Sequence, residues 1–297
     1  MYYGMIAVYY VMIVNILYFT IMALSYRNIG TIYRRSKYSN YNTLSGSELV
    51  PPVSLLVPAF NEELTISENV NCLLTLNYPT YEVIVINDGS SDNTVDVLIK
   101  EFRLKKMPNP EFRGTIDTQE IRGVYHNPDY PSLFVIDKEN GGKADSLNAG
   151  INLSHYPLIS SIDADSLLEK DALIRMARMY MENPEEMVAI GGDVRIANGC
   201  LIENGAVQKV SLPRKIWPMF QSIEYMKAFL GGRIGWSHMN GLIIVSGAFG
   251  LFRKDYVIAV GGYRGGYPGE DMNIIIKLHR YMLSHKIPYK VAFCPEA

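Results

Sequence analysis

The first 26 residues carry no charge, and Met5–Leu24 (MIAVYYVMIVNILYFTIMAL) is apolar apart from Asn15 and Thr20. At 1.5 Å per residue such a helix is about 30 Å long, the thickness of a bilayer's hydrocarbon core. The pattern predicts a transmembrane anchor over 1–26. A secretory signal peptide would show a basic start, a shorter apolar stretch and a small-residue cleavage site, and none is clear. Basic residues follow instead, Arg27, Arg34, Arg35 and Lys37, with no acid before Glu48. Lys and Arg on that flank place it in the cytoplasm. The expectation is a cell-membrane protein with one N-terminal span and its bulk in the cytoplasm. Residues 27–50 read as a basic juxtamembrane segment and linker, turn-rich from 38 onward.

After Pro51-Pro52 the pattern changes. Val53–Val57, Val83–Ile86, Leu133–Ile136 and Leu158–Ile162 are short apolar runs rich in β-branched residues, with helical periodicity between most of them. Continuous apolar runs of this length predict strands of a parallel sheet covered on both faces, an α/β domain. Ile66, Val70, Leu73 and Leu74 form one face of the first predicted helix. The second is expected to open at Ser90-Ser91-Asp92, with Val95, Leu98 and Phe102 inward. The polar stretch between Lys105 and Tyr130 is too long for an ordinary loop and predicts an excursion or hairpin.

Composition narrows the function. The 297 residues are 48% hydrophobic, with 28 Lys+Arg against 30 Asp+Glu, which excludes a disordered chain and argues against a nucleic-acid partner. Three cysteines, Cys72, Cys200 and Cys294, are far apart and form no C-x-x-C, so neither a disulfide framework nor a zinc site is indicated. A reducing compartment fits best.

In open α/β sheets ligands sit beyond the carboxyl ends of the strands. Four consecutive predicted strand ends carry carboxylates there: Asn61-Glu62-Glu63, Asn87-Asp88-Gly89, Asp137-Lys138-Glu139 leading to Lys143, and Asp163-Ala164-Asp165. At a strand's end Asp163 and Asp165 point the same way, so both carboxylates can approach one hard cation such as Mg²⁺ or Mn²⁺. The glycines before Lys143 do not make a phosphate loop, because Asp137 stands where a first Gly is needed and Ala144 where Ser or Thr is needed. No G-x-G-x-x-G follows the first strand either.

The series VPAFNEE (57–63), VINDGSSDNT (85–94), DKENGGKADSLNAG (137–150), IDAD (162–165), SGAFGLFRKD (246–255) and GGY with GED (261–271) resembles glycosyltransferase family 2. Within that family it is similar to membrane polysaccharide synthases of the cellulose, chitin, hyaluronan and poly-N-acetylglucosamine kind, over about residues 50 to 297.

The resemblance implies a GT-A fold over 51–297, a mainly parallel Rossmann-like sheet with a nucleotide-binding half (51–165) and an acceptor-binding half (166–297). It implies a UDP-sugar donor and inverting transfer to a hydroxyl. Phe60 and Glu62 would line the nucleotide and Asp88 would bind the uridine. Lys143 would contact the nucleotide or its diphosphate. Asp163 would meet the ribose or diphosphate and share a Mg²⁺ or Mn²⁺ with Asp165. Asp271 would be the general base with Glu270 beside it, and Ser246, Gly247 and Ala248 would border the acceptor. The acceptor is a growing polysaccharide or, alternatively, a polyprenyl-phosphate or other lipid. A non-catalytic, nucleotide-binding subunit of a synthase complex is a further reading.

The residue types suit that chemistry. Charge builds on a departing diphosphate, which a divalent ion stabilises, and an acceptor hydroxyl must lose its proton to a positioned carboxylate. Structural alternatives stand beside these roles: Asp88 as a turn former, Lys143 as a solvated helix-start residue, and Glu270-Asp271 as caps of a helix over Met272–Leu283. Residues 216–240 are amphipathic, with Trp217, Phe220, Tyr225, Phe229 and Trp236 suited to stacking on sugars, resting on a membrane surface, or core packing. Processive members of the family carry a Q-x-x-R-W segment and further membrane helices beyond GED. The chain ends at Ala297, about where that segment should begin, so the resemblance implies that the family's C-terminal part is not in this sequence.

Overall fold

The computed structural model describes residues 2–38, 41–114, 116–203, 206–266 and 269–297, without the side chains of Tyr2, 31–38, Asn42, Thr43 and 202–208. The chain opens with helix α1 (Tyr2–Tyr38), in which Tyr3–Gly30 is long and apolar enough to cross a membrane and is almost wholly exposed. The helix runs on through the basic stretch, so residues 27–38 extend α1 instead of forming a linker. Arg27 lies on it, and the side chains of Arg34, Arg35 and Lys37 fall outside the described residues.

A short helix α2 (Tyr41–Ser45) leads into the sheet. In chain order the strands are β1 (Val53–Ala59), β2 (Tyr81–Asp88), β3 (Lys105–Lys106), β4 (Ile121–His126), β5 (Leu133–Lys138), β6 (Leu158–Ile162), β7 (Met187–Gly192), β8 (Leu201–Glu203), β9 (Ala206–Lys209), β10 (Phe249–Arg253) and β11 (Lys290–Cys294). Nine of them form one sheet in the order β11-β7-β10-β6-β1-β2-β5-β4-β3, and β8 and β9 pair separately. β6, β1, β2 and β5 are parallel neighbours, and within the sheet only β10 and β4 run against the rest.

All four sequence-predicted strands are present, and β1, β2 and β5 run two residues further than their apolar runs. The polar pairs Asn87-Asp88 and Asp137-Lys138 are still in register with each other, which seats them together at the carboxyl ends of two interior strands. The long polar stretch is in part the predicted hairpin, β3 pairing antiparallel with β4.

The intervening helices are α3 (Ile66–Leu73), α4 (Thr94–Glu101), α5 (Lys143–Leu153), α6 (Ala172–Glu182), α7 (Ile216–Met226), a π-helical turn (Lys227–Arg233), α8 (Ile234–His238), α9 (Lys254–Ala259) and α10 (Glu270–His285). Their apolar faces divide between two cores. Ile66, Val70 and Leu73 of α3, Leu98 of α4 and Leu173 and Met176 of α6 cover one face of the sheet. Leu147 and Ile151 of α5, Val257 of α9 and Ile274, Leu278 and Met282 of α10 cover the other. Two boundaries shift from expectation. Helix α4 starts at Thr94, with Asp92 Oδ1 accepting from the Thr94 amide at 3.0 Å ahead of it. Glu270 and Asp271 are the first turn of α10 and do not precede it.

Candidate active site

The loops after β1 and β2 are latched together by reciprocal hydrogen bonds. The Asn61 amide donates to Ser90 Oγ (2.9 Å) and the Ser91 amide to Asn61 Oδ1 (2.9 Å). The Glu63 amide donates to Asp92 Oδ2 (3.1 Å), and the Asn93 amide to Glu63 Oε2 (3.0 Å). Phe60 beside this latch is half exposed. The Glu62 carboxylate accepts from Thr65 Oγ1 at 2.8 Å, closing the turn that leads into α3.

Asp88 is buried and fully engaged. Its Oδ1 accepts from Lys138 Nζ (2.7 Å) and the Gly141 amide (2.9 Å), and its Oδ2 from the Gly142 amide (2.8 Å). Lys138, with no exposed side-chain surface, also pairs with Asp145 at 2.6 Å. One ammonium thus stands between two carboxylates. The loop before α5 is pinned by charge-assisted bonds, which are shorter and stronger than neutral ones. Gly89, at φ +65°, makes the close approach possible: a Cβ there would lie 2.7 Å from the Asn140 amide nitrogen.

Burial pushes the Asp88 carboxyl up. The Lys138 hydrogen bond, the Gly141 amide and the Lys138 charge more than reverse this, and the group sits below the usual carboxylate range. A carboxyl whose folded pKa is depressed adds stability that is complete above its unfolded value, about 4, and is lost as pH falls through the lower folded value. The urea midpoint of the protein should therefore fall on acidification below about pH 4, and Asp88→Asn should flatten that part of the profile. An unchanged acid limb in the variant would rule Asp88 out as its source.

Because Gly142 is fixed, Lys143 is aimed from the start of α5. Its ammonium bonds the Asp163 carboxylate beyond β6 and reaches the Gly247 carbonyl at 3.4 Å. A Cβ built on Gly247 would lie 3.3 Å from Lys143 Nζ and 3.7 Å from Asp271 Oδ2. Lys143, Asp163, the Gly247 backbone and Asp271 therefore meet at one small space. Asp271 Oδ1 accepts from the Met272 amide at 2.8 Å, and both acids of that first turn sit at the positive end of α10. Asp165 is exposed, two residues from Asp163. Ser246 Oγ accepts from the Ala248 amide at 3.3 Å, shaping the turn into β10.

Two residues of this region were given no role in the sequence reading. Arg233 closes the π-helical turn with its guanidinium 3.8 Å from the centre of the Phe229 ring, and its Nη1 is buried with no hydrogen-bond partner among the described residues. Burial lowers its pKa, while the charges of Asp271 and Asp193 raise it. The signal available was a π-type irregularity, which clusters at functional sites but leaves no mark in an apolar periodicity. Tyr263 is buried, and burial raises its phenol, a hydrogen bond with Ser161 opposing and the charges of Asp271 and Glu270 adding to the rise. Residues 216–238 form a helical run, but only Phe229 of the five aromatics there is buried, and Trp217 is 82% exposed.

Carboxylates and a lysine gathered at the carboxyl ends of a Rossmann-like sheet, facing acids at a helix start from the second half, define the class: this is the fold of the GT-A glycosyltransferases. The chain belongs to the family described as Glycosyl transferase family 2, whose model matches residues 54–257. It is 30% identical over 280 residues to a poly-beta-1,6-N-acetyl-D-glucosamine synthase of Staphylococcus epidermidis, covering 93% of this chain and 58% of that protein. The synthase of the same name from Staphylococcus aureus (strain COL) is 30% identical over 293 residues, covering 94% of this chain and 59% of the relative. The chain thus spans little more than half the length of the curated relatives it matches.

Among solved structures, the mannosyltransferase PcManGT from Pyrobaculum calidifontis, in complex with GDP-Man and Mn²⁺, shares the fold with a TM-score of 0.58 at 17% identity, over 94% of this chain and 67% of the other. TarS of S. aureus in complex with UDP-GlcNAc gives 0.50 at 15% identity, over 83% and 56%.

Proposed function

We propose that this chain carries the catalytic domain of an inverting, metal-dependent glycosyltransferase, anchored in the cell membrane by α1, that adds sugars from a UDP-sugar to a growing polysaccharide on the cytoplasmic side. The carrying observation is the meeting of Lys143, Asp163, Gly247 and Asp271. The sugar we assign is N-acetylglucosamine, on the names of the synthases this chain resembles over nearly its whole length.

In this reading Phe60 and Asp88 border the nucleoside, Asp88 also through the loop it pins, and Glu62 holds the turn beside them. Lys143 exchanges Asp163 for the donor's diphosphate and offsets its charge. Asp271 takes the proton from the acceptor hydroxyl as that oxygen attacks the anomeric carbon and the bond to the diphosphate breaks. Glu270 shares the first turn, where its charge is favoured, and Ser246, Gly247 and Ala248 line the acceptor's approach.

The donor set fits a hard cation. Among the described residues no three His, Cys, Asp or Glu side chains cluster to enclose a metal, whereas Mg²⁺ characteristically takes one or two carboxylates plus substrate phosphates. Asp163 and exposed Asp165 supply those two. Bound there, Mg²⁺ or Mn²⁺ would neutralise charge building on the leaving diphosphate.

Calorimetry of the purified chain with UDP, with and without Mn²⁺, tests this. Metal-dependent binding that Asp165→Ala abolishes is expected. A chain that binds no nucleotide under either condition refutes the enzyme reading.

A further inference from the structure

The three side chains of the proposed reaction centre come from three separate elements. Lys143 opens α5, Asp163 follows β6, and Asp271 lies in the first turn of α10. Lys143 and Asp163 bond each other directly. Asp271 reaches them on the run that leaves α9, so that run must be fixed against both α5 and β6. Tyr263 ties it to each.

The backbone of Tyr263 is clamped by α5. Its amide donates to Asn148 Oδ1 at 2.8 Å, and Asn148 Nδ2 donates to its carbonyl at 2.9 Å. One side-chain amide thus satisfies both backbone groups of one residue. Asn148 is only 5% exposed, and a buried backbone group left without its partner is costly. Gly262, at φ +67°, permits the approach, since a Cβ there would lie 2.5 Å from Asn148 Oδ1. From α10, Lys277 Nζ donates to the Gly262 carbonyl at 2.8 Å.

The side chain of Tyr263 is held by the sheet. Its ring packs edge-on against Phe252 of β10, with centroids 6.3 Å apart, and its phenol hydrogen-bonds with Ser161. Ser161 of β6 stands two residues before Asp163 and in register with Gly250, three residues after Gly247. Ala144 lies one helical turn from Asn148, next to Lys143, and a Cβ on Gly265 would meet its methyl at 3.6 Å. The chain leaving Tyr263 therefore follows α5 back toward Lys143.

We propose that Tyr263, clamped by Asn148 and Ser161, is the positioning residue that sets Asp271 against Lys143 and Asp163. The inference deepens the reading of Asp271 as the base and rests on it. Tyr263 touches no reacting atom; it fixes where the base stands, and a misplacement of about 1 Å at a reaction centre costs about 10²-fold in rate.

Two variants of the full, membrane-embedded chain test this. Tyr263→Phe removes the phenol oxygen and keeps the ring, and Asn148→Ala removes both backbone bonds. Each should lower kcat for UDP release from UDP-N-acetylglucosamine by about 10- to 10²-fold. KM for the donor and UDP affinity should stay at wild-type values, because the groups assigned to the nucleotide are untouched. Rates are divided by the UDP sites that calorimetry counts, so misfolded chains drop out. A wild-type rate per site means that Tyr263 serves the fold alone, and the proposal is overturned. Amide hydrogen exchange needs no turnover: in Asn148→Ala, Tyr263 and the first turn of α10 should exchange faster while β2 is unchanged. Unaltered exchange at Tyr263 overturns the clamp. Asp271→Asn, measured alongside, separates this inference from the reading beneath it. If that variant keeps its rate, the base assignment falls and the positioning role with it; if it alone loses rate, only the positioning role falls.

Discussion

Asp271→Asn should reduce sugar transfer by the membrane-embedded protein by 10²-fold or more, the usual cost of removing a general base, while UDP affinity stays as it was. The amide is isosteric with the carboxylate and still accepts from the Met272 amide, so the first turn of α10 keeps its geometry. Lost is the carboxylate oxygen proposed as the proton acceptor, beside Gly247 and Lys143. Release of UDP from UDP-N-acetylglucosamine measures the rate, and calorimetry the affinity. A variant keeping more than about a tenth of the rate would remove Asp271 from the base role, because no positioned base contributes so little.

Lys138→Met should cost about 3–5 kcal/mol of stability, the range for removing one partner of a buried ion pair. Lys138 is fully enclosed between Asp88 and Asp145, and methionine fills its volume but leaves the buried Asp88 charge without a cation. The urea midpoint of the detergent-solubilised chain reports the change. Adding Asp88→Asn should recover part of the loss, because the stranded charge goes with it. A loss under about 1 kcal/mol would show that water reaches Asp88 and that the pair behaves as a solvated one. UDP binding should weaken as well, since the same carboxylate fixes the Gly141–Gly142 loop that aims Lys143.

These two residues were not equally legible. Asp271 stands in a motif beside glycines and was open to reading from the sequence. Lys138 was not, because a lysine after an apolar run looks like a solvated strand end, and only the pairing of β5 with β2 brings it under Asp88. Glu62 illustrates the reverse case, for its motif pointed to the nucleotide while its carboxylate also closes the turn into α3. Arg233 was hidden altogether, since a π-helical turn shifts its direction away from what a 3.6-residue period projects.

By itself the sequence determined what local rules control: a charge-free helix long enough to cross a bilayer, apolar runs that can only be buried strands, and carboxylates at the ends of those strands. Periodicity and side-chain type act over a few residues, so these follow from short windows. Tertiary structure decided what depends on pairings far apart in the chain. It inserted β10 backwards between β6 and β7 and carried Gly247 to Lys143 across 104 positions. Such choices rest on the free energy of the whole sheet and its two cores, which no short window contains.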